Sequence, residues 1–185
     1  RKRREIYPEY KAGRKPAPAD FYEQIPILHE LLEAFGWPLY EIDDYEADDI
    51  MATFARQAEA KGIETCLITS DLDALQIISP LTRLFAMKNG LSNIEEFTPE
   101  HFEAKYGIKT EQFLDLKSLM GDSSDNLIGV PGVGQKTAVK LLQEYGDLDN
   151  IYQHVDDLSG AVGKRMREGK ESAYLTKQVA KLWFD

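Results

Sequence analysis

Short apolar runs alternate with an amphipathic helix in the first half of the chain. "PLYEI" (38–42) and "ETCLITS" (64–70) have the length and composition of strands. Residues 46–61 between them have helical periodicity, and Gly62 can end that helix in a left-handed conformation. Two strands joined through a helix by short loops form a βαβ unit, whose strands are parallel and whose crossover is right-handed. With a third strand predicted over 82–87, the fold class is α/β, with a parallel sheet covered by helices.

The chain from residue 98 onward has helical periodicity. The threonine and proline at 98–99 are a helix cap followed by a favoured first-turn proline. "TEQFLDLKSLMG" (110–121) predicts a helix that begins at its threonine and ends at its glycine, and "QKTAVKLLQEYG" (135–146) predicts another. Two or three more helices are expected after these. The predicted division is therefore an α/β domain over 1–97 and a helical region over 98–185.

One further helix is predicted ahead of the first strand. "KAGRKPAPAD" (11–20) is rich in proline and small residues, which indicates a loop. Asp20 can cap a helix that runs to Gly36, where glycine tolerates the left-handed terminal position. Pro26 lies near the first turns of this helix, where proline costs least.

Composition and charge limit the classes of function. No apolar run approaches the ~20 residues that span a bilayer. The single cysteine, Cys66, cannot form an internal disulfide, so a reducing compartment is expected, and its place in a predicted strand suggests burial. The net charge is −10, but residues 1–20 have +4, residues 21–128 have −14 and residues 129–185 are neutral. Because local patches decide whether DNA binds, the basic start and the neutral end remain candidates for DNA contact.

Acidic residues follow the predicted strands at their carboxyl ends. Glu46, Asp48 and Asp49 come after the first strand, and Asp71 and Asp73 come after the second. Ligands of parallel α/β sheets collect at this edge, so we expect these side chains to lie together. Their mutual repulsion calls for a cation, and Mg²⁺ prefers such oxygen ligands. Two such ions ~4 Å apart form the clamp used for phosphodiester hydrolysis.

Each acidic segment taken alone also has a structural explanation. Acids in the first turn of a helix are stabilised by its dipole, Asp71 and Asp73 can form a turn, and "GDSSDN" (121–126) can be a polar loop. The occurrence of all three segments at the expected edge of one sheet favours a metal site.

A glycine-rich segment precedes the predicted helix 135–146. "GVPGVGQKTAVKLL" is similar to the helix–hairpin–helix element of DNA-binding proteins. Its glycines let backbone N–H groups approach phosphates, and the helix N-terminus adds partial positive charge. Lys136 and Lys140 can neutralise phosphates on the same helix, which would grip duplex DNA without reading its sequence. A turn between two helices is the alternative explanation.

Aromatic residues alternate with cations at the start of the chain. "RKRREIYPEYKAGRK" places Tyr7 and Tyr10 among arginines and lysines that include Lys11 and Arg14. Bases can stack on such rings while cations hold the backbone, which suits single strands or frayed ends. A solvated basic arm would have the same composition.

These motifs together resemble the flap-endonuclease family, and within it the 5′–3′ exonuclease domains of bacterial DNA polymerases I. The segments that match are "YPEYKAGR", "YEADD", "TSDLDALQ", "GDSSDNLIGVPGVGQKTA" and "LLQEYG", in family order over nearly the whole chain. The resemblance implies a Rossmann-like, PIN-like nuclease core over 1–97, with an arch segment at about 1–20. It also implies a helix–three-turn–helix DNA-binding motif within 98–185.

The resemblance implies the chemistry of the site as well. Two Mg²⁺ or Mn²⁺ ions would be held by seven carboxylates, those of Glu46, Asp48, Asp49, Asp71, Asp73, Asp122 and Asp125. The hairpin would hold duplex DNA, in this family often around a K⁺ ion, through Gly132, Gly134, Lys136, Thr137 and Lys140. Tyr10 would contact DNA from a mobile arch, in which Lys11 and Arg14 would act as catalytic residues near the scissile phosphate.

The implied function is a structure-specific 5′ nuclease that cuts 5′ ends, flaps and nicked or branched duplexes during DNA replication and repair. We expect a monomer of the bacterial cytoplasm, associated with the nucleoid and not with a membrane. Both the presence and the absence of a polymerase domain beyond Asp185 are compatible with the sequence. The family pattern also implies an opening strand and two more aspartates upstream of Arg1, so that this chain holds seven of nine expected acids. We therefore expect this chain to bind flap DNA and to cleave it more slowly than a form extended upstream.

Two other functions fit parts of the pattern. A non-catalytic DNA-binding module would keep the hairpin and lack part of the metal site, and it would show no Mg²⁺-dependent cleavage of a flap. A phosphatase that uses the aspartates of "DLD" as nucleophile and acid partner would form a phosphoenzyme and would have no use for the hairpin.

Overall fold

One three-stranded sheet is formed by residues between 65 and 97. The structure is a computed structural model that describes residues 2–88 and 92–184 of the chain. Its three strands, in spatial order, are β1 (Thr65–Thr69), β2 (Thr82–Met87) and β3 (Ile94–Phe97). β1 and β2 are parallel and β2 and β3 antiparallel, so the sheet is mixed. The parallel pair joins the second and third predicted strands and not the two strands of the predicted βαβ unit, and the expectation of a wholly parallel sheet is wrong.

Helices make up most of the remaining described residues. The α-helices are α1 (Lys2–Ile6), α2 (Ala19–Ala34), α3 (Ala47–Glu59), α4 (Pro99–Tyr106), α5 (Phe113–Met120), α6 (Gln135–Tyr145), α7 (Leu148–Gln153), α8 (Gly160–Glu168) and α9 (Lys170–Ala180). Short 3₁₀ helices span Leu72–Ile77, Thr110–Gln112 and Val155–Asp157. None of the helices within the described ranges has the length and apolar character needed to cross a membrane. The outermost residues of the two predicted domains, Arg1 and Asp185, lie outside the described residues.

Two strand predictions differ from the structure. Residues 38–42 form no strand: Leu39, Tyr40 and Ile42 are 45–58% exposed, and no described strand pairs with them. A strand needs a hydrogen-bonding neighbour, and apolar composition alone does not supply one. β3 was not predicted, because its two central residues are glutamates, one of which pairs with Arg83 on β2.

The helix ends follow the predicted capping rules in most places. The Thr98 hydroxyl accepts the His101 N–H at the start of α4, and Gly121 follows the end of α5. The helix predicted from residue 110 begins as a 3₁₀ turn and becomes α-helical at Phe113. The N-cap of α2 is Pro18, two residues before the predicted cap Asp20, so Pro26 lies in the helix interior and its predicted place near the first turns is wrong. No side chain caps that end, because a proline at the cap position has no oxygen to accept an N–H.

One hydrophobic core joins the sheet to the helical region. Its fully buried members come from both halves of the chain and include Leu84, Phe97, Phe102, Leu119, Leu142, Ile151 and Met166. Leu67 on β1 faces this core, so the alternation of a strand turns Cys66 and Ile68 to the opposite, open face. The expected burial of Cys66 is therefore wrong. None of the residues of α2 is buried.

Candidate metal centre and nucleic-acid interface

Three aspartates from distant parts of the chain lie together beside the carboxyl end of β1. Asp73 is in the 3₁₀ helix that follows β1, and Asp122 and Asp125 are in the turn that follows α5. One carboxylate oxygen from each residue lies within 4.8 Å of the other two. Three carboxylates at this separation form an oxygen-rich site of the type that divalent cations prefer.

Tight backbone geometry places Asp122 and Asp125 in this cluster. Gly121 has φ 74°, and a β-carbon at this position would lie 2.5 Å from the carbonyl oxygen of Leu127. The chain can therefore reverse here only with glycine. The Asp122 N–H then donates to that carbonyl at 2.7 Å, and the Asp122 carboxylate accepts the Ser124 N–H at 2.8 Å. The glycine of "GDSSDN" is thus part of what positions the acids.

A buried lysine that the sequence analysis missed contacts this cluster. The Lys117 ammonium pairs with Asp73 and lies 2.9 Å from the Asp122 carboxylate, and its side chain is 7% exposed. Burial acts to lower the pKa of Lys117, but the two carboxylates outweigh it and raise that pKa. An isolated lysine in the apolar helix "FLDLKSLM", shortly before the acidic turn, is the sequence feature that could have identified it.

The protein environment shifts the pKa values of Asp122 and Asp73 in opposite directions. Burial acts to raise the pKa of Asp122, but hydrogen bonds from Ser124 and the Lys117 ammonium lower it to about 2. The pKa of Asp73 is raised, chiefly by burial, despite the opposing effect of Lys117. Crowded carboxylates with divergent pKa values mark functional sites more often than structural ones.

Asp48, at the N-terminal end of α3, faces the same concentration of negative charge. Burial, together with the charges of Asp71 and Asp73 and then of Glu46, raises the pKa of Asp48 to about 6. Asp71 is exposed, and its carboxylate accepts the Asp73 N–H at 3.0 Å. Asp48 at the start of α3 is therefore repelled by the negative charges of Asp71 and Asp73 after β1. A bound cation would reduce this repulsion.

We expect cation affinity at this site to fall as the pH drops through about 6. A raised pKa means that Asp48 is mostly protonated below that pH, and a protonated carboxyl is a poor ligand. Mn²⁺ binding measured by calorimetry between pH 5 and 7.5 tests this. Asp48→Asn should bind Mn²⁺ more weakly at pH 7.5 and lose much of the pH dependence. An Asn variant with the unchanged dependence would assign it to another group.

Asp49 does not join the candidate metal ligands. Its carboxylate oxygens each accept a hydrogen bond of 2.7 Å from the Arg3 guanidinium, and its side chain is 1% exposed. Those oxygens also accept the N–H groups of Trp183 and Glu46, at 2.8 and 3.0 Å. Burial acts to raise the pKa of Asp49, but these donors lower it. The expectation that Asp49 binds metal is therefore corrected, because all of these donors already occupy its oxygens.

The "YPEYKAGR" segment lies against the carboxylates. The Tyr10 hydroxyl is 3.1 Å from Glu46 and 3.2 Å from Asp125, the Lys11 ammonium is 2.8 Å from Glu46, and the Arg14 guanidinium is 2.6 Å from Asp125. Burial and the neighbouring carboxylates raise the pKa of Tyr10. These contacts place three predicted site residues at the site.

The predicted arch is confined by these contacts. The Tyr10 ring is 5% exposed and packs with Leu127, Val179 and Ala180. In this arrangement the ring is not available for stacking on a base, so the expected DNA-contacting position of Tyr10 in a mobile arch is not what the structure shows. The physical reason is that its hydroxyl and its ring both find partners in the protein interior.

The glycine hairpin is attached to the same turn as the aspartates. The Val130 N–H donates to the Leu119 carbonyl at 2.8 Å, and Gly129, with φ 63°, packs directly on Gly121. Gly132 has φ 78°, and its carbonyl accepts a hydrogen bond from Arg165 at 3.0 Å. The hairpin thus contacts the end of α5 on one side and Arg165 of α8 on the other.

The predicted DNA-binding residues of the hairpin lie at its solvent side. α6 begins directly after Gly134, and Lys136 and Lys140, four residues apart, are both exposed. No ion pair within the described part of the chain involves either lysine. Gly132 and Gly134 are exposed, and Thr137 is half-buried with its N–H on the Gly134 carbonyl at 3.1 Å. This end of α6 therefore offers N–H groups and two cations to an anionic ligand.

Comparisons with known families match both halves of the chain. The family described as "5'-3' exonuclease, N-terminal resolvase-like domain" matches residues 1–107. The family described as "5'-3' exonuclease, C-terminal SAM fold" matches residues 108–185.

Curated relatives are bacterial DNA polymerases I. The chain is 46% identical to that of Bacillus caldotenax over 179 residues, which are 96% of this chain and 20% of the relative. It is 41% identical to that of Bacillus subtilis (strain 168) over 180 residues, which are 97% of this chain and 20% of the relative. The chain spans about a fifth of the length of the curated relatives it matches.

Solved structures show the same fold. The bacteriophage T5 flap endonuclease, in a complex with DNA and metal ions, is 23% identical with a TM-score of 0.82, covering 97% of this chain and 69% of that one. The T5 5′-exonuclease with zinc bound is 24% identical with a TM-score of 0.83, and the match again covers 97% of this chain and 69% of that one. The catalytic core of Rad2 with a DNA substrate is 20% identical with a TM-score of 0.59, and the match covers 91% of this chain and 56% of that one.

Proposed function

The chain belongs to the 5′–3′ exonuclease family of nucleases, and from this premise we propose that it hydrolyses phosphodiester bonds at 5′ ends and flaps of DNA with the help of two divalent cations. The observation that supports this most directly is the cluster of Asp73, Asp122 and Asp125, whose ligand oxygens lie within 4.8 Å of one another. Members of this family appear as segments of bacterial DNA polymerases I.

Two groups of carboxylates would hold the cations, Mg²⁺ or Mn²⁺. Asp73, Asp122 and Asp125 would form one group, and Glu46, Asp48 and Asp71 the other. The pKa of Asp48, raised first by burial and then by the charges of Asp71, Asp73 and Glu46, supports this assignment, because a cation would offset both effects. Bound there, such cations would make water a stronger nucleophile and stabilise negative charge on the phosphate.

The cations of the chain itself would act on the phosphate and on the carboxylates. The Lys11 ammonium lies 2.8 Å from Glu46 and the Arg14 guanidinium 2.6 Å from Asp125, so both cations lie beside carboxylates that would hold the metal ions. A phosphate oxygen is an alternative partner for both groups. We propose that they exchange a carboxylate for the phosphate when DNA binds. Lys117 stays with Asp73 and Asp122, because its side chain is buried.

The hairpin would hold the duplex part of the substrate. Exposed N–H groups at the start of α6 and the ammonium groups of Lys136 and Lys140 suit phosphates of the backbone and read no bases. We also propose that the backbone carbonyls of the hairpin bind a K⁺ ion. One of these carbonyls, that of Gly132, accepts a hydrogen bond from Arg165. Action as a monomer, beside a polymerase domain and on the bacterial chromosome in the cytoplasm, belongs to the same proposal.

Replacing Lys136 and Lys140 with alanine should weaken binding to unrelated duplex sequences by similar factors. Because each lysine neutralises about one phosphate, the slope of log affinity against log salt should become shallower by roughly one to two. Fluorescence anisotropy in Ca²⁺ at several salt concentrations measures both effects. The matched control replaces Lys61 and Lys109, which are exposed lysines outside the hairpin. A loss confined to one sequence, or an unchanged slope, would contradict the proposed role.

The proposed activity is tested with the full protein that contains this chain. A labelled 5′-flap duplex should be cut near the branch in Mg²⁺ and remain intact in EDTA. A matched duplex without the flap or a free 5′ end should be cut far more slowly. Binding of the flap duplex without any cleavage, at every Mg²⁺ and Mn²⁺ concentration, would instead indicate a non-catalytic DNA-binding module.

A further inference from the structure

The residues after α9 pack against α1 and enclose a buried arginine, Arg3. The Arg3 guanidinium donates to the carbonyls of Val179 at 2.9 Å and Lys181 at 3.1 Å. The Trp183 ring covers the same group, with its centre 4.5 Å from the guanidinium carbon. The Arg3 side chain is 5% exposed, so this arginine is enclosed by the C-terminal segment on one side and by Asp49 on the other.

The same segment contacts the beginning of α3. The Trp183 N–H donates to one oxygen of Asp49 at 2.8 Å, and the other oxygen accepts the Glu46 N–H at 3.0 Å. The Trp183 ring also meets the Tyr45 ring edge to face, with 6.5 Å between centres. Trp183 therefore contacts two neighbours of the Glu46 backbone. One is Asp49, which accepts the Glu46 N–H, and the other is Tyr45, which precedes Glu46 in the chain.

We propose that Trp183 is a positioning residue for the candidate metal ligands Glu46 and Asp48. The proposal rests on the proposed function and adds a contact outside the ligand shell. The ring shields the Arg3–Asp49 pair from water, which strengthens the pair and fixes the Asp49 carboxylate. Asp49 in turn accepts the Glu46 N–H, and Glu46 is the N-cap and Asp48 the second residue of that first helical turn. Groups that orient metal ligands from outside commonly control metal affinity.

The structure makes this role specific to one group of carboxylates. Asp122 and Asp125 are placed by the turn after α5, and Asp73 by the 3₁₀ helix after β1. Within residues 2–88 and 92–184, Trp183 contacts Asp49, Arg3 and Tyr45 and none of these three aspartates. Loss of the ring should therefore affect cation binding by Glu46 and Asp48 and leave binding by the aspartate cluster unchanged. A general loss of stability would weaken both groups together.

The experiment measures Mn²⁺ binding by calorimetry and the Mg²⁺ dependence of flap cleavage in the full protein. Outer partners of ligands change metal affinity by about 10- to 100-fold, and Trp183 acts one contact further out, so Trp183→Ala should weaken one class of site by about three- to tenfold. Trp183→Phe keeps an aromatic face and should restore most of that loss. The matched control is Phe184→Ala, because the Phe184 ring covers Arg56 at 3.5 Å, away from Arg3.

The outcomes are separable. Folded Trp183→Ala with unchanged Mn²⁺ binding, or an equal effect of Phe184→Ala, would overturn the positioning role. If Trp183→Ala does not fold by circular dichroism, Trp183→Leu, which keeps apolar bulk but has no aromatic face, decides the question by the same isotherms. If the parent protein binds Mn²⁺ but never cleaves DNA, the proposed function fails, and a weaker class of site in Trp183→Ala would still support the positioning role.

Discussion

Replacing Asp73 with asparagine should lower the rate of 5′-flap cleavage by about a hundred- to a thousandfold, the size seen when one group that stabilises developing charge is removed. Asparagine keeps the size of the side chain and loses its negative charge. Asp73 clusters with the two aspartates of the α5 turn, and its charge also contributes, after burial and Asp71, to the raised pKa of Asp48 at the start of α3. Its loss should therefore weaken cation binding by both groups.

The measurement is a single-turnover time course on a 5′-flap duplex across a range of Mg²⁺ concentrations. Binding of the same duplex in Ca²⁺ should change little, because within the described residues the ion-pair partner of Asp73 is Lys117 and not the hairpin lysines of α6. Asp156→Asn is a matched control, since that aspartate is 94% exposed and outside the site. A variant of Asp73 that cleaves at the parent rate at all Mg²⁺ concentrations would remove Asp73 from the reaction.

Breaking the Arg3–Asp49 pair should cost the protein about 3–5 kcal/mol of unfolding free energy, since either partner alone leaves a buried charge without its counterion. Both side chains are at most 5% exposed, and two bonds of 2.7 Å join them. Asp49→Ala and Arg3→Ala should each show this loss. Urea unfolding followed by tryptophan fluorescence measures it, because Trp183 covers Arg3 whereas the other tryptophan, Trp37, is already exposed in the folded protein.

A double-mutant cycle separates the pair from its surroundings. The variant that lacks both side chains should be less destabilised than the sum of the two single variants, because no unpaired buried charge remains. The matched control is the exposed pair of Lys164 and Glu168, 3.8 Å apart, where Lys164→Ala should cost under about 1 kcal/mol. Additive losses at Arg3 and Asp49 would show that the two residues stabilise the protein independently.

Local sequence patterns predicted most of the elements and most of the candidate site. Helix periodicity and caps identified α3, α4 and α6, because those effects act over one or two turns of chain. Acids after predicted strands identified the region of Asp71 and Asp73 for the same reason: the carboxyl end of a strand is a position that the sequence itself defines.

Pairing and burial could not be predicted in this way. Residues 38–42 have a strand-like composition and no strand neighbour, and Cys66 is exposed because its side of β1 is uncovered. Whether a strand forms, and which of its faces is buried, depends on what packs beside it. Neither fact is encoded in the five or six residues of the strand.

The amino-acid sequence supplies the groups of the site: seven carboxylates, a glycine hairpin with two lysines, and the segment of Tyr10, Lys11 and Arg14. How the carboxylates divide depends on the folded arrangement. Asp73 meets Asp122 across 49 residues of sequence, whereas Asp49 turns inward to Arg3 and Trp183. The reason is that a carboxylate's role is set by the charges and donors within a few ångströms, and long-range packing brings those together. Lys117 shows the same dependence, since its partners in space are not its neighbours in sequence.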